Sequence, residues 1–359
     1  MSKQIVLPFG PQHPVLPEPI HLDLVLEDER VIEAVPSIGY VHRGLEKLVE
    51  KRDYKDYVFI AERICGICSF IHSATYCHAV ETVMEVEVPR RAEYLRTIWS
   101  EYSRLHSHLL WLGCFADSMG YENLFMNSWR LREKILDVLE RTTGGRVIQG
   151  VCRVGGVSRD IPPEELARMS RELAGLRPEL RELTRVFEED ITVQTRTKRI
   201  GLLPKDAAWD LGAVGPVCRG SGISSDMRST GYAAYDDLDF KPVVKSDGDC
   251  YARCLVRAEE MFSSISLIEK AIDRIPGGDV LVPVKGNPSG EFYARAEQPR
   301  GEVIHYVKAN GKKNLQRHRV RTPTLANVPA LVKMLAGCEL ADVPVIVLTI
   351  DPCIGCMER

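Results

Sequence analysis

The 359-residue sequence has no long hydrophobic run. Its longest clean apolar stretch, Val343 to Ile350, is too short to cross a bilayer. The start, MSKQIVLPFG, has no charged segment followed by an apolar one, so no secretory signal is expected. Neither sign of charge prevails: Lys+Arg 47 against Asp+Glu 50 leave a net charge of −3, which argues against a basic nucleic-acid binder. No Gly-x-Gly-x-x-Gly or Walker sequence opens a helix; Gly10, Gly155-Gly156 and Gly277-Gly278 form no phosphate-binding fingerprint. Internal repeats and low-complexity tracts are missing too. The 11 cysteines are too few per residue for a disulfide scaffold, and their number is odd. Together these absences place the chain in the cytoplasm, free or docked on a membrane complex. With 45% hydrophobic and 27% charged residues, it can bury a substantial core.

What is present reads as a mainly α chain with small β-hairpins, an α+β class in one domain over 1–359. Residues 20–26 and 30–35 alternate around the polar turn Glu27-Asp28-Glu29, as a hairpin does. Residues 54–86 are mostly helical, with a break around Cys65-Gly66-Ile67-Cys68. Over 90–112, Leu95, Ile98, Trp99, Tyr102, Leu105 and Leu109 recur at helical spacing, and Pro89 suits the first turn. Further helices are expected at 122–141, stopping at Gly144-Gly145, from Pro162-Pro163 to about 190, at 249–274, and near 325–337. The stretch 198–248 is rich in Gly, Pro, Ser and Asp. Its interleaved apolar and aromatic residues mark it as ordered but irregular. Asn310-Gly311, between 302–308 and 313–320, is a hairpin turn, and 343–350 reads as an apolar strand.

Two Cys-x-x-Cys pairs carry the chemistry: Cys65-Gly66-Ile67-Cys68 and Cys353-Ile354-Gly355-Cys356. Four thiolates at one site suit a soft or borderline transition metal. A structural zinc site is the plain alternative, but zinc ribbons staple short segments, and these pairs lie about 285 residues apart. A thioredoxin-type redox motif needs only one pair. Cys77, Cys114, Cys152, Cys218 and Cys338 are isolated and read as small buried hydrophobes. Cys250 and Cys254, four apart, share a helix face.

The first pair sits in Glu62-Arg63-Ile64-Cys65-Gly66-Ile67-Cys68, with His72 four residues on. The second sits in Asp351-Pro352-Cys353-Ile354-Gly355-Cys356-Met357-Glu358-Arg359. With these motifs the whole chain resembles the large, catalytic subunit of [NiFe] hydrogenases. Pro8-Phe9-Gly10-Pro11-Gln12-His13-Pro14 and Arg321-Thr322-Pro323-Thr324-Leu325-Ala326-Asn327 resemble the membrane-bound, energy-converting branch, of Ech and CO-induced type. That branch is related to the 49-kDa quinone-site subunit of complex I.

The resemblance implies a Ni–Fe centre with CO and cyanide ligands on iron. Cys65 and Cys353 would be terminal nickel ligands, and Cys68 and Cys356 would bridge nickel and iron. It implies that His72 donates a hydrogen bond to a bridging sulfur, that Arg300 stands over the metals near the cyanides, and that Asp351 bonds the arginine. Glu18 matches the glutamate that carries protons from the terminal cysteine. Glu46 matches a ligand of a Mg²⁺ or Fe²⁺ near the C-terminus. The histidine that relatives place three residues after the last cysteine is Arg359 here, and an arginine cannot ligate.

The implied activity is reversible heterolytic H₂ cleavage, with proton reduction in reverse. The alternative is a quinone-reducing complex I-like subunit without the metals, although those relatives lack the paired cysteines that this chain keeps. A zinc-stabilised assembly protein is a third reading. The seven other cysteines form no cluster-binding set, so electrons need a partner. The resemblance names a hydrogenase small subunit with a [4Fe–4S] cluster, further iron–sulfur and integral-membrane subunits, and a ferredoxin-type donor or acceptor. The chain would then sit on the inner face of the membrane through those partners.

Overall fold

The computed structural model describes residues 4–359. Helices dominate, and three small antiparallel sheets are set around them. The longest helix, Arg90–Ser118, packs on Glu122–Thr143 and on Cys250–Arg274, and Pro163–Glu189 lies against both of these partners. Arg90–Ser118 is covered on nearly all sides, so its buried face includes Arg96, Glu101, Arg104, His106 and His108 as well as Leu95, Ile98, Trp99 and Leu105. The turn after Glu122–Thr143 is Gly144, at φ 87, where an L side chain is disfavoured.

The expected hairpin is the pair His21–Glu27 and Arg30–Ser37, with Leu22, Leu24, Leu26, Val31 and Ala34 turned to the core. A third strand, Gln4–Phe9, joins its edge. The Asn310-Gly311 turn follows Gly301–Asn310, which pairs with Arg317–Arg321 and, on its other side, with Ser289–Gln298. Neither extra strand stands out in sequence: Gln4–Phe9 is exposed on nearly every residue, and Ser289–Gln298 is exposed over its first half.

One expectation is corrected. Val343–Thr349 is a helix, not a strand. Pro344 fits the first turn of a helix, where its missing N–H is no loss. Val343, Val345, Ile346, Val347, Leu348 and Thr349 are all buried. A short helix surrounded on every side has the same unbroken apolar composition as a buried strand, so its pattern is ambiguous.

The region 198–248 is ordered through short helices and turns, and what holds it is buried charge. Arg219 reaches Glu260 at 2.7 Å and Glu297 at 2.8 Å, and Arg228 reaches Asp226 at 2.7 Å, all with 1% exposure or less. Glu101 of the longest helix accepts from Tyr235 and Ser264 at 2.6 Å each. These bonds tie the irregular segment to two long helices and to the strand Ser289–Gln298.

Candidate metal centre

The two cysteine pairs meet although each lies in a different part of the chain. Cys65 closes the turn after the helix Tyr57–Glu62, and Cys68 caps the helix Ser69–Val83. Cys353 caps the short helix Ile354–Glu358, which carries Cys356. Cys65 Sγ lies 3.4 Å from Cys353 Sγ, and Cys68 Sγ lies 3.6 Å from Cys356 Sγ. The sulfurs of Cys65, Cys68 and Cys356 fall within 4.8 Å of one another. All four cysteines are at most 2% exposed.

The loops that aim these sulfurs are fixed by backbone bonds. The amides of Ile67 and Cys68 donate to Cys65 Sγ at 3.2 and 3.3 Å. His106 Nε2 meets the Ile67 carbonyl at 2.7 Å. The Cys353 amide donates to Thr324 Oγ1 at 3.2 Å. One side chain joins the two motifs: Arg43 Nη2 donates to Ile64 O at 2.8 Å and to Gly355 O at 2.9 Å. Thr324 lies in the stretch Arg321–Asn327 that bears the resemblance, and Arg43 lies three residues before Glu46, yet the cysteine spacing marks neither as a site residue.

The four thiols sit in unequal electrostatic surroundings. Burial raises the Cys65 thiol, but hydrogen bonds from Cys353, Cys356 and Cys68 and the charge of Arg300 outweigh it and hold Cys65 well below the ordinary thiol value. Burial pushes Cys68 and Cys356 well above it.

Arg300 is 1% exposed and lies beside this cluster. It donates from Nε to Asp351 O and from Nη2 to Asp351 Oδ1, both at 2.8 Å, and from Nη1 to Ser107 Oγ at 3.3 Å. A guanidinium has five N–H donors, so two remain unused. Burial opposes its charge, but Asp351 and the sulfurs of Cys353, Cys68 and Cys65 push its pKa well above the ordinary value. Asp351 sits at φ 56, a conformation that Asp tolerates better than most residues, and its Oδ2 is buried without a partner. The turn that presents Arg300 touches backbone closely: a Cβ on Gly215 would lie 2.3 Å from Arg300 O, so only glycine fits.

Glu18 is half-buried and accepts from the amides of Ile354 and, at 3.1 Å, Gly355. Burial first, then the charge on Cys65, raise its carboxyl above the usual range. It thus stands on the turn that holds Cys353. His72 is buried, with Nε2 at 3.4 Å from Cys356 Sγ, and burial lowers its pKa to about 4.

Glu46 is held by cations of the chain itself. Its carboxylate accepts from Val320 N at 2.8 Å, Arg319 Nη1 at 2.7 Å and Arg359 Nε at 3.3 Å. Two guanidinium groups already supply the positive charge that a Mg²⁺ or Fe²⁺ would bring, so these residues do not fit a divalent cation. The other cysteines include one correction as well: Cys77, Cys152, Cys218, Cys250 and Cys254 are buried, but Cys114 and Cys338 only partly.

A four-sulfur cluster inside a helical scaffold, flanked by a buried arginine and a carboxylate, defines a class. The family of the respiratory-chain NADH dehydrogenase 49 Kd subunit matches over 118–287 and 283–359, and that of nickel-dependent hydrogenases over 43–114. The chain belongs to this family of hydrogenase-like large subunits of energy-converting complexes.

More particularly, it is 39% identical to the membrane-bound hydrogenase subunit alpha of Pyrococcus furiosus, over 99% of this chain and 87% of that one. It is 38% identical to the carbon monoxide-induced hydrogenase of Rhodospirillum rubrum, over 98% and 99%. Relatives named NADH-quinone oxidoreductase subunits match at 33–36% identity. A chain of the membrane-bound sulfane sulfur reductase, an archaeal respiratory membrane complex, superposes with a TM-score of 0.95 at 31% identity, covering 99% of this chain and 98% of that one. Among the described residues no helix is long and apolar enough to cross a membrane.

Proposed function

We propose that the chain is the catalytic subunit of a [NiFe] hydrogenase that splits H₂ heterolytically and reversibly. The observation that carries this reading is the meeting of both Cys-x-x-Cys pairs in one buried cluster. The donor set fits a soft metal, and the two unused N–H groups of Arg300 suit anionic diatomic ligands on a neighbouring iron. Cys65, Cys68, Cys353 and Cys356 would hold nickel, with Cys68 and Cys356 shared with iron. When bound, this centre supplies the Lewis-acid and redox chemistry of H₂ splitting.

The chain's own residues manage the proton. Cys353 Sγ is the base that receives it. Glu18, bonded to the next two amides after Cys353, is the acceptor that passes it outward; its raised pKa keeps it able to hold a proton nearer neutrality. Arg300 adds fixed positive charge beside the sulfurs, and Asp351 orients it through two bonds. Burial keeps water from the cluster. The electrons leave through a partner: among the seven remaining cysteines no set has cluster spacing, so a small subunit with a [4Fe–4S] cluster is required. Further iron–sulfur and membrane subunits and a ferredoxin-type carrier complete the assembly, which holds the chain at the membrane.

A quinone-reducing role is the second reading, favoured by the NADH-quinone oxidoreductase relatives. Infrared absorption in the CO and cyanide stretching region, with metal analysis of the purified complex, separates the two. Nickel and iron with those bands are expected. Zinc alone, or no metal, refutes the hydrogenase reading.

A further inference from the structure

His72 heads a line of buried groups that no motif marks out. Its Nδ1 lies 3.0 Å from His305 Nε2. His305 Nδ1 lies 3.1 Å from His318 Nε2, and His318 Nδ1 lies 3.0 Å from the Tyr57 hydroxyl. That hydroxyl is also 2.8 Å from the Leu45 carbonyl oxygen. The line crosses four elements: the helices Tyr57–Glu62 and Ser69–Val83 and the strands Gly301–Asn310 and Arg317–Arg321. In the strand register His318 pairs with Val307 and His305 with Val320, which makes the two rings diagonal neighbours on one face. No ring in the line is more than 2% exposed.

Burial keeps the two inner imidazoles neutral: His318 falls to about 3, and His305 lies well below its ordinary value. A neutral imidazole donates at one nitrogen and accepts at the other. Each link has room for one proton, so the choice made at one end is transmitted along every link. If Tyr57 donates to Leu45 O, its oxygen accepts from His318 Nδ1–H, His318 accepts from His305, His305 accepts from His72, and a bare His72 Nε2 faces Cys356. If Tyr57 instead donates to His318 Nδ1, every ring carries its proton on Nε2, and His72 donates to Cys356 Sγ.

A sulfur that binds metal has no proton to give and can only accept. Resting on the function proposed above, we infer that His305, His318 and Tyr57 are positioning residues. They hold His72 as its Nε2–H tautomer in the metal-loaded protein, and the Tyr57 hydroxyl turns from Leu45 to His318 to do so. The far end of the line is then the Tyr57 side chain, at the start of the helix that leads to Cys65 and separated from Cys356 by three rings. It tunes the electron density on a bridging sulfur through three rings.

The test uses the assembled, metal-loaded complex with ¹⁵N-labelled histidine. Nitrogen shifts should report Nε2–H for all three residues; an Nδ1–H His72 overturns the inference. His305→Leu interrupts the line and leaves the sulfur short of a firm donor, so the iron-bound CO band should move to lower wavenumber. His305→Gln, which can both donate and accept, should restore the band. An unchanged band in His305→Leu overturns the inference. Should that variant fail to assemble, Tyr57→Phe removes only the terminal oxygen and should shift the band in the same direction; no shift again overturns it. Absence of CO and cyanide bands from the unmodified complex overturns the metal reading itself, and the inference with it.

Discussion

The Arg300–Asp351 pair joins the segment before the second cysteine motif to the strand turn at Gly301, and its removal can be given a magnitude. Asp351→Asn keeps an oxygen in place of Oδ1 but deletes the charge. The bond from Arg300 Nε to the Asp351 backbone carbonyl, 2.8 Å, survives the change. What remains is a guanidinium 1% exposed with only neutral oxygens as firm partners. Removing one member of a buried ion pair costs about 3–5 kcal/mol. The surviving bond and the charge shared by the sulfurs bring the expectation to the lower end, about 3 kcal/mol, roughly a 100-fold change in the unfolding constant. Urea unfolding of the metal-free full chain, followed by circular dichroism, measures it. Adding Arg300→Met to Asp351→Asn should recover much of the loss, because the orphaned charge leaves with the side chain. If Asp351→Asn alone unfolds within about 0.5 kcal/mol of the parent, the pair is not the constraint argued here.

Three further outcomes follow from the site. Cys65→Ser or Cys353→Ser should lose nickel and H₂ turnover together, since a neutral hydroxyl does not replace a thiolate; full activity and metal content in either would refute the ligand assignment. Glu18→Gln keeps an acceptor for the Ile354 and Gly355 amides, so nickel should stay while H₂/D⁺ exchange falls. Because the folded carboxyl is raised, the stability of the parent relative to Glu18→Gln should be greatest below about pH 4.5 and fall as pH rises through the native value, and a difference that does not change with pH would contradict it. Exhaustive chelation followed by added Mg²⁺ should leave the unfolding midpoint of the full chain unchanged, whereas Arg359→Ala should cost about 2 kcal/mol through the lost charged bond to Glu46; stabilisation by Mg²⁺ would reverse that assignment.

Much of the helical framework is legible in the sequence because it depends on local terms. Leu95, Ile98, Trp99, Tyr102, Leu105 and Leu109 mark a face of the longest helix, and Gly144 marks the end of the next. The helix at Val343–Thr349 looks like a strand in the sequence because total burial erases periodicity. The order of 198–248 was expected, but not its cause, since pairs such as Arg219 with Glu297 arise only when segments distant in sequence meet. The candidate centre divides the same way. Its cysteines announce themselves by spacing, whereas Arg43, Thr324, His305 and His318 act through tertiary contacts that leave no pattern along the chain.

The two cysteine pairs lie 288 residues apart and converge to within 3.6 Å. In folding terms this is a contact of very high order, and most of the chain lies inside the loop that it closes. Such contacts come late, because the entropy of closing the loop must be met by structure already formed between its ends. The four-sulfur pocket therefore exists only when the long segment between the two pairs has reached its native arrangement. A metal held by all four sulfurs would certify that this segment has folded, and a chain in which it has not folded offers two isolated thiol pairs instead of a site.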